Sequence, residues 1–260
     1  MIDSIENAIM NLLSTTERLT PAQIVAQLHY HPRRVIMQRI NQLICNEQLM
    51  YTYELGTAFV RLSYNKAVRI SDRVVLIPPN RHLPNELSTK VAIKLAKGAA
   101  FGDGHHPTTS LIINLLDKTL HKNNIAIKKA LDIGTGTGVL AIAAAKLGAE
   151  KVIATDIDPI AIYESQINVE INHMNDCISL IKSDTFPALT YQLMMANLRY
   201  PSLVNLAKRF YHHIDKQGLV ICSGYKREES THLIRKFKQH KLECVYDMQL
   251  NQWAGGVFMK

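Results

Sequence analysis

ALDIGTGTGVLAIAAAKLGAEKVIATDIDP, residues 130–159, is the stretch that decides the fold of this 260-residue chain. Its opening apolar run is typical of a strand and breaks into Gly134, Gly136 and Gly138 before a helical pattern begins. A second apolar run ends in Asp156. The pattern predicts one β-α-β unit with a carboxylate at the tip of its second strand, and therefore an α/β fold.

The glycine spacing indicates the ligand of this unit. In open parallel sheets a ligand lies outside the carboxyl ends of the strands, where an acidic side chain accepts the hydroxyls of a ribose. Dinucleotide folds hold a pyrophosphate with G-x-G-x-x-G, whereas this turn reads G-x-G-x-G and follows Asp132. An acidic residue there disfavours phosphate and suits a ligand with an ammonium and a sulfonium. The pattern favours S-adenosylmethionine over NAD, with a plain β-α-β turn in another α/β enzyme as the alternative. The predicted cofactor-binding residues here are Asp132, Gly134, Gly136 and Asp156.

Charge and composition restrict the possible partners. The formal net charge is +8 at pH 7, but residues 1–65 carry five arginines against five acidic residues, so the excess lies beyond them. A basic surface favours a polyanion such as RNA or a ribosomal particle, and a lysine-rich surface that only confers solubility is the alternative. Four scattered cysteines predict neither a disulfide framework nor a zinc site. Because no leader or membrane span is indicated, the expected location is cytoplasmic, without membrane association. The oligomeric state is not indicated.

The first 65 residues predict a small winged-helix-like domain. Three helical patterns occur, of which the second begins at Thr20-Pro21, and they precede two β-rich runs joined by a turn glycine. Arg33, Arg34 and Arg39 fall on or near the third helix, where they could contact DNA. The segment is neutral overall and its hairpin offers only Arg61. DNA binding, protein docking or dimerisation, and a purely structural cap all stay open.

Residues 66–100 predict a bridging segment with short strands, and residues 101–260 the catalytic domain. The segment AFGDGHHPTTSLIINLLD, residues 100–117, combines a glycine loop with the start of a helix. Hydroxyl and free N–H groups at such a start can hold a carboxylate. Phe101, Gly102 and Thr109 are predicted cofactor-binding residues. His105 and His106 are expected to stabilise the loop or line the pocket, and no metal site is predicted.

Two later strand ends supply polar side chains. Asp184 follows the third strand and is placed to accept a hydrogen bond from the adenine amino group, with an ordinary loop aspartate as the alternative. The apolar fourth strand ends in Asn197-Leu198-Arg199-Tyr200. The Asn197 amide can accept a hydrogen bond from a substrate N–H and so direct the lone pair of the substrate nitrogen at a methyl carbon. The alternative is that Asn197 only caps the helix that starts at Pro201.

Residues 66–260 resemble the ribosomal protein L11 methyltransferases. The motifs that carry the resemblance are AVRISDRVVLIPP, AFGDGHHPTTSL, LDIGTGTGVLAIAAAKLGA, DIDP, ANL and SG at 223–224. The resemblance implies a seven-stranded class I methyltransferase sheet, doubly wound and Rossmann-like, with S-adenosylmethionine contacted by Thr109, Gly134, Asp156 and Asn197. Arg199-Tyr200 stands where this family usually has Leu-Ala.

These observations predict a protein N-methyltransferase that acts on a lysine or an α-amino group, with a ribosomal protein as a candidate substrate. Asn197 and Tyr200 are the predicted catalytic residues, and Asn197 also contacts the cofactor. One alternative is methylation of a nucleic-acid base or a glutamine amide, with residues 197–200 as a variant of the N-P-P-Y site. The other is a winged-helix regulator that senses S-adenosylmethionine without turnover. Nucleic acid could bind through the N-terminal domain or the basic surface.

Overall fold

The computed structural model describes residues 2–16, 18–54, 56–63, 67–96, 100, 102, 104, 106–123 and 126–260. Phe101 and His105, which were singled out above, lie outside these residues. The chain divides into two compact units, Met1–Ala67 and Val68–Lys260. Residues 68–96, predicted as part of a bridging segment, therefore fall within the larger unit.

The small unit combines three helices with a three-stranded antiparallel sheet. Thr20 caps the second helix in a reciprocal pair with Gln23, and Pro21 occupies the first helical position. The strands lie in the order β1-β3-β2, and one apolar face of each helix packs into a common core. This element order is compatible with a winged helix, which stays a prediction. The elements are α1 (Ile2–Thr16), β1 (Arg18–Leu19), α2 (Pro21–Gln27), α3 (Arg33–Cys45), β2 (Leu49–Glu54) and β3 (Thr57–Leu62).

The larger unit begins with a second small sheet. Strand β5 pairs antiparallel with β4 and parallel with β6, and a 3₁₀ turn at Asn85–Leu87 lies between β5 and β6. The strands are β4 (Val68–Arg69), β5 (Val74–Ile77) and β6 (Val91–Lys94).

A seven-stranded sheet forms the body of the larger unit, which confirms the predicted α/β architecture. Its order is β12-β13-β11-β10-β7-β8-β9, with β11, β10, β7, β8 and β9 parallel and the β12-β13 hairpin antiparallel. The strands are β7 (Lys129–Ile133), β8 (Lys151–Asp156), β9 (Ile178–Lys182), β10 (Tyr191–Asn197), β11 (Ile214–Lys226), β12 (Glu243–Leu250) and β13 (Trp253–Met259). The helices are α4 (Pro107–Asn123), α5 (Val139–Lys146), α6 (Pro159–Ile171), α7 (Tyr200–His213) and α8 (Arg227–Gln239).

Helices cover both faces of this sheet. Along β10, Leu193 and Met195 join the core beneath α4 and α5, whereas Met194 and Ala196 join the core beneath α7 and α8. Burial on both faces explains why β10 is a continuous apolar run instead of an alternating one. No helix in the described ranges is both long and apolar enough to cross a membrane. The cytoplasmic location stays a prediction.

Polar side chains fasten the small sheet to the body. Asp117 of α4 accepts hydrogen bonds from the Ser71 hydroxyl at 2.6 Å and from the Arg73 backbone at 2.9 Å, and it pairs with the Arg73 guanidinium. Burial opposes ionisation of Asp117, but the bonds from Ser71 and Arg73 outweigh it and lower the pKa of this carboxyl. Asn172, which caps the C-terminus of α6, holds the backbone of Lys94 with both amide atoms. These contacts fix the chain shortly before residues 100–106.

Candidate functional site

The site lies where the strand order of the sheet reverses. From β7 the chain proceeds outward to β8 and β9, and it then returns to place β10 on the other side of β7. In doubly wound sheets such a switch point opens a crevice beyond the carboxyl ends of the two central strands. The register pairs Ala196 with Ile133, so Asn197 and Gly134 leave adjacent strands side by side.

The glycine loop turns sharply after β7. The N–H groups of Gly134 and Thr135 both donate to the Thr155 carbonyl at 2.9 Å, which ties the loop to the end of β8. Gly134 has a φ of 69°, and a Cβ atom there would lie 2.8 Å from Cδ2 of Leu198. The positive φ is the reason that glycine is favoured here, because a Cβ atom would meet only the end of the Leu198 side chain, which can rotate away.

Asp156 closes the glycine loop from the neighbouring strand. One carboxylate oxygen accepts the Gly136 N–H at 2.9 Å, and the other accepts the Asp158 N–H at 3.0 Å. A carboxylate has about four acceptor positions, so each oxygen keeps capacity for a further donor. The partly exposed Asp156 can therefore accept ribose hydroxyls while it holds the loop.

Asp132 is fully buried next to the loop. Its Oδ2 accepts the Thr135 hydroxyl at 2.6 Å and the Ala141 N–H at 3.2 Å, whereas its Oδ1 has no partner among the described residues. Burial raises the pKa of Asp132 to about 7, although the bonds from Thr135 and Ala141 oppose the rise. An unpaired buried carboxylate oxygen is costly, and a cationic ligand would relieve that cost. Contact with a cofactor stays a prediction.

Asn197 meets Thr109 across the crevice. The Asn197 side-chain Nδ2 donates to the hydroxyl of Thr109 at 3.2 Å, and Thr109 is fully buried in the first turn of α4. The structure thus joins two predicted site residues from distant parts of the chain. The helix-cap alternative for Asn197 is wrong, because α7 begins at Tyr200 and its N-cap is Arg199.

His106 changes the expected role of the α4 terminus. The N–H groups of Thr109 and Ser110 donate to the His106 carbonyl, and the N–H of Thr108 donates to His106 Nδ1. The donors expected to hold a carboxylate are therefore engaged within the chain. The Thr109 hydroxyl accepts a hydrogen bond from Asn197. Within the described residues, no group of three His, Cys, Asp or Glu side chains could hold a metal ion.

The remaining predicted cofactor residues lie around the glycine loop. The Gly102 carbonyl accepts the Thr137 hydroxyl at 2.6 Å, so the chain before α4 packs directly on the loop. Asp184 has an exposed side chain beyond β9, next to Ser183, whose N–H donates to the Asp156 carbonyl at 2.9 Å. Contacts of Gly102 and Asp184 with a cofactor stay predictions.

Gly224 approaches the chain after Asn197 closely, a contact that the sequence did not indicate. It has a φ of 99°, and a Cβ atom there would lie 2.3 Å from the Leu198 carbonyl oxygen. The Leu198 N–H also donates to the Ser223 carbonyl at 3.1 Å. The SG motif at 223–224 carried the family resemblance, and its structural role is to hold the chain that leaves Asn197.

Tyr200 makes a contact that the sequence did not indicate. Its hydroxyl lies 2.5 Å from Nδ1 of His232 on α8, and the two rings stack with centroids 5.8 Å apart. The partners are 32 positions apart, so no local pattern signals the pair. The predicted catalytic role of Tyr200 stays a prediction.

Known proteins are similar to this chain in sequence and in fold. The model of the family described as Ribosomal protein L11 methyltransferase (PrmA) matches residues 58–260. The ribosomal protein L11 methyltransferase of Anoxybacillus flavithermus is 30% identical over 203 residues, which cover 72% of this chain and 64% of that protein. Its counterpart from Bacillus cereus is 36% identical over 190 residues, covering 67% of this chain and 59% of that protein. The chain thus matches about three fifths of the length of these curated relatives.

Two solved structures share the fold of this chain. The ribosomal protein L11 methylase of Lactobacillus delbrueckii subsp. bulgaricus aligns with a TM-score of 0.67 and 27% identity, over 75% of this chain and 98% of that one. A putative methyltransferase from Streptococcus mutans shares the fold with a TM-score of 0.59 and 15% identity, over 91% of this chain and 66% of that one. Because the family model matches well over half of the residues, the chain belongs to the ribosomal protein L11 methyltransferase family.

Proposed function

We propose that this chain is an S-adenosylmethionine-dependent methyltransferase whose acceptor is a protein amine. The observation that carries the proposal is the hydrogen bond between Asn197 and Thr109 at the strand-order reversal, directly beside the Gly134 loop. This bond holds the Asn197 amide beside the Gly134 loop and supports a role for it in orienting the acceptor. Family membership supports the same reaction class.

The described residues fit S-adenosylmethionine. The two Asp156 oxygens would accept ribose hydroxyls, and the buried Oδ1 of Asp132, which has no partner among the described residues, would suit the positive charge of the amino-acid portion. The Thr109 hydroxyl can donate to the carboxylate. When bound, the cofactor supplies an electrophilic methyl carbon on a sulfonium.

Asn197 would orient the acceptor. Because its Nδ2 donates to Thr109, its Oδ1 is directed elsewhere and can accept an N–H of the incoming amine. A neutral amine aligned in this way presents its lone pair to the methyl carbon, and such positioning is the main contribution an enzyme makes to an in-line displacement. The half-buried side chains of Leu198 and Tyr200 would flank the amine.

The acceptor must be neutral before it reacts. A lysine with an ordinary pKa of about 10.4 requires roughly 4.6 kcal/mol for deprotonation at pH 7, whereas an α-amino group near 7.8 requires about 1 kcal/mol. An α-amine, or a lysine desolvated by the apolar rim, is therefore the proposed acceptor class. Since the curated relatives are named for ribosomal protein L11, that protein is the first substrate to test.

Methylation assays with labelled S-adenosylmethionine test the proposal. Large-subunit ribosomal proteins from cells lacking this gene should take up label, with mass increases of one methylene per transfer. Asn197→Ala should abolish labelling. Asn205→Ala, an exposed asparagine on α7, is the matched control and should behave like the unaltered protein.

The alternatives predict different products. Label confined to nucleic acid, and sensitive to nuclease, would replace the protein acceptor with the base acceptor. Binding of S-adenosylhomocysteine without any turnover would favour the sensing role. Failure to bind S-adenosylhomocysteine at all would refute the cofactor assignment itself.

A further inference from the structure

The helix-turn-helix of the small unit holds one helix face outward. Helices α2 and α3 are joined by the short turn 28–32, and both bury apolar side chains in the same core. Ile24 and Leu28 lie on one side of the junction, and Ile36, Ile40 and Leu43 hold α3. Because this packing buries one face of α3, the opposite face is exposed. The second helix of a helix-turn-helix is the one that enters the major groove of DNA.

The outward face of α3 has an unusual composition. Arg34, Gln38 and Gln42 recur at every fourth position and form one exposed stripe, and Asn41 lies beside it. The whole helix, RRVIMQRINQLIC, contains no acidic residue and no lysine. A helix face that is merely solvated usually mixes acidic and basic residues, so this composition calls for another explanation.

We propose that this face of α3 binds duplex DNA in the major groove. Arginine makes bidentate hydrogen bonds to guanine there, and glutamine and asparagine make them to adenine, so Arg34, Gln38 and Asn41 can contact base edges. Val35 is 41% exposed next to Arg34 and can pack against a thymine methyl group. Arg33 can contact a phosphate from the start of the helix.

Although residues 1–65 are neutral overall, the positive charge at the start of α3 favours this partner. Arg39 pairs with Glu6 at 3.5 Å, whereas Arg33 and Arg34 form no ion pair among the described residues. Two unpaired arginines in the first turn of a helix lie at the positive end of its dipole, where positive charge is unfavourable without an anion. The phosphates of a duplex supply that anion.

The same face does not suit a stable protein interface. The centres of such interfaces are apolar and depleted of charge. In the described part of the small unit, the exposed large apolar side chains are Tyr30, Val35 and Tyr53, and only Val35 belongs to α3. A second copy of the chain would find no apolar centre on this helix.

Fluorescence anisotropy with the full chain tests the proposal. A labelled pool of random DNA duplexes and an RNA duplex of equal length are titrated over a range of salt concentrations. The DNA duplex should bind more tightly, because the RNA major groove is too narrow for a helix. Combining Arg33→Ala with Arg34→Ala should weaken DNA binding by about 10-fold or more and reduce the salt dependence by about one or two counterions.

Two further variants keep the test decisive. Arg227→Ala with Arg235→Ala removes two exposed arginines from α8 of the larger unit, and this equal loss of charge should leave duplex binding nearly unchanged. Gln38→Ala removes no charge. It should relax the base preference at one position of a selected DNA site without changing the salt dependence of binding. Urea unfolding verifies that each variant is folded.

Several results would overturn the proposal. These are absence of duplex binding at low salt, tighter binding of RNA, an equal loss from the α8 control, or a dimer that the α3 variants dissociate. Methyl transfer does not enter any of these measurements, so the outcome is independent of the proposed activity.

Discussion

Replacing Gly224 with alanine should lower the rate of methyl transfer by more than its effect on the stability of the fold accounts for. A Cβ atom at Gly224 would lie 2.3 Å from the carbonyl oxygen and 2.7 Å from the carbonyl carbon of Leu198. Both are backbone atoms, so no side-chain rotation relieves the overlap. Leu198 must move, and the adjacent Asn197 must move with it.

Gly148 provides a matched control. It has a φ of 116°, close to the 99° of Gly224, but no atom lies within 4 Å of the place a Cβ would occupy. Each substitution forces an alanine into a left-handed conformation at about 1–3 kcal/mol. The overlap with Leu198 adds about 1–3 kcal/mol at Gly224 alone. Relieving it requires a shift approaching ~1 Å, and a misplacement of that size can lower a rate by about 100-fold.

Urea unfolding, calorimetric titration with S-adenosylhomocysteine and methylation kinetics together measure these effects. Gly148→Ala should be less stable than the unaltered protein and otherwise normal. Gly224→Ala should be less stable still and should lose about 100-fold in methyl transfer. Equal stability of the two variants would show that the overlap with Leu198 has no energetic cost. Full activity in folded Gly224→Ala would show that Leu198 does not position Asn197.

Three further predictions concern buried and paired groups. Burial raises the pKa of Asp132 to about 7, whereas an unfolded aspartate titrates near about 3.9, so the free energy of unfolding should fall as pH rises between these values. Asp132→Asn should remove this fall, and urea unfolding at about pH 5 and about pH 8 measures it; an unchanged pH dependence would contradict the assignment. Asp117→Ala leaves the half-buried Arg73 without its partner and should lower the free energy of unfolding by about 3 kcal/mol. An unfolding free energy equal to that of the unaltered protein would show that this pair does not hold the sheet of β4, β5 and β6. Tyr200→Phe and His232→Phe each break the hydrogen bond between these two side chains and should reduce kcat by similar factors that do not multiply in the double variant. Fully additive losses would mean that the two residues act separately.

Much of the fold follows from local patterns. The apolar runs, the glycines after Ile133 and the polar residues that end β8 and β10 are all readable from neighbouring positions, because strand and helix periods are local properties of a chain. The strand ends Asp156 and Asn197 were located in this way. The burial of Asp132 was not, since it depends on what covers the loop.

The sequence by itself determined the α/β architecture, the glycine loop and the polar strand ends. The tertiary structure alone decided that Asn197 meets Thr109, 88 positions away, that Leu198 is held between Gly134 and Gly224, and that Tyr200 pairs with His232. The physical reason is strand order. The chain places β10 beside β7 only after it has built β8 and β9, and this non-local pairing brings the separate segments to one crevice.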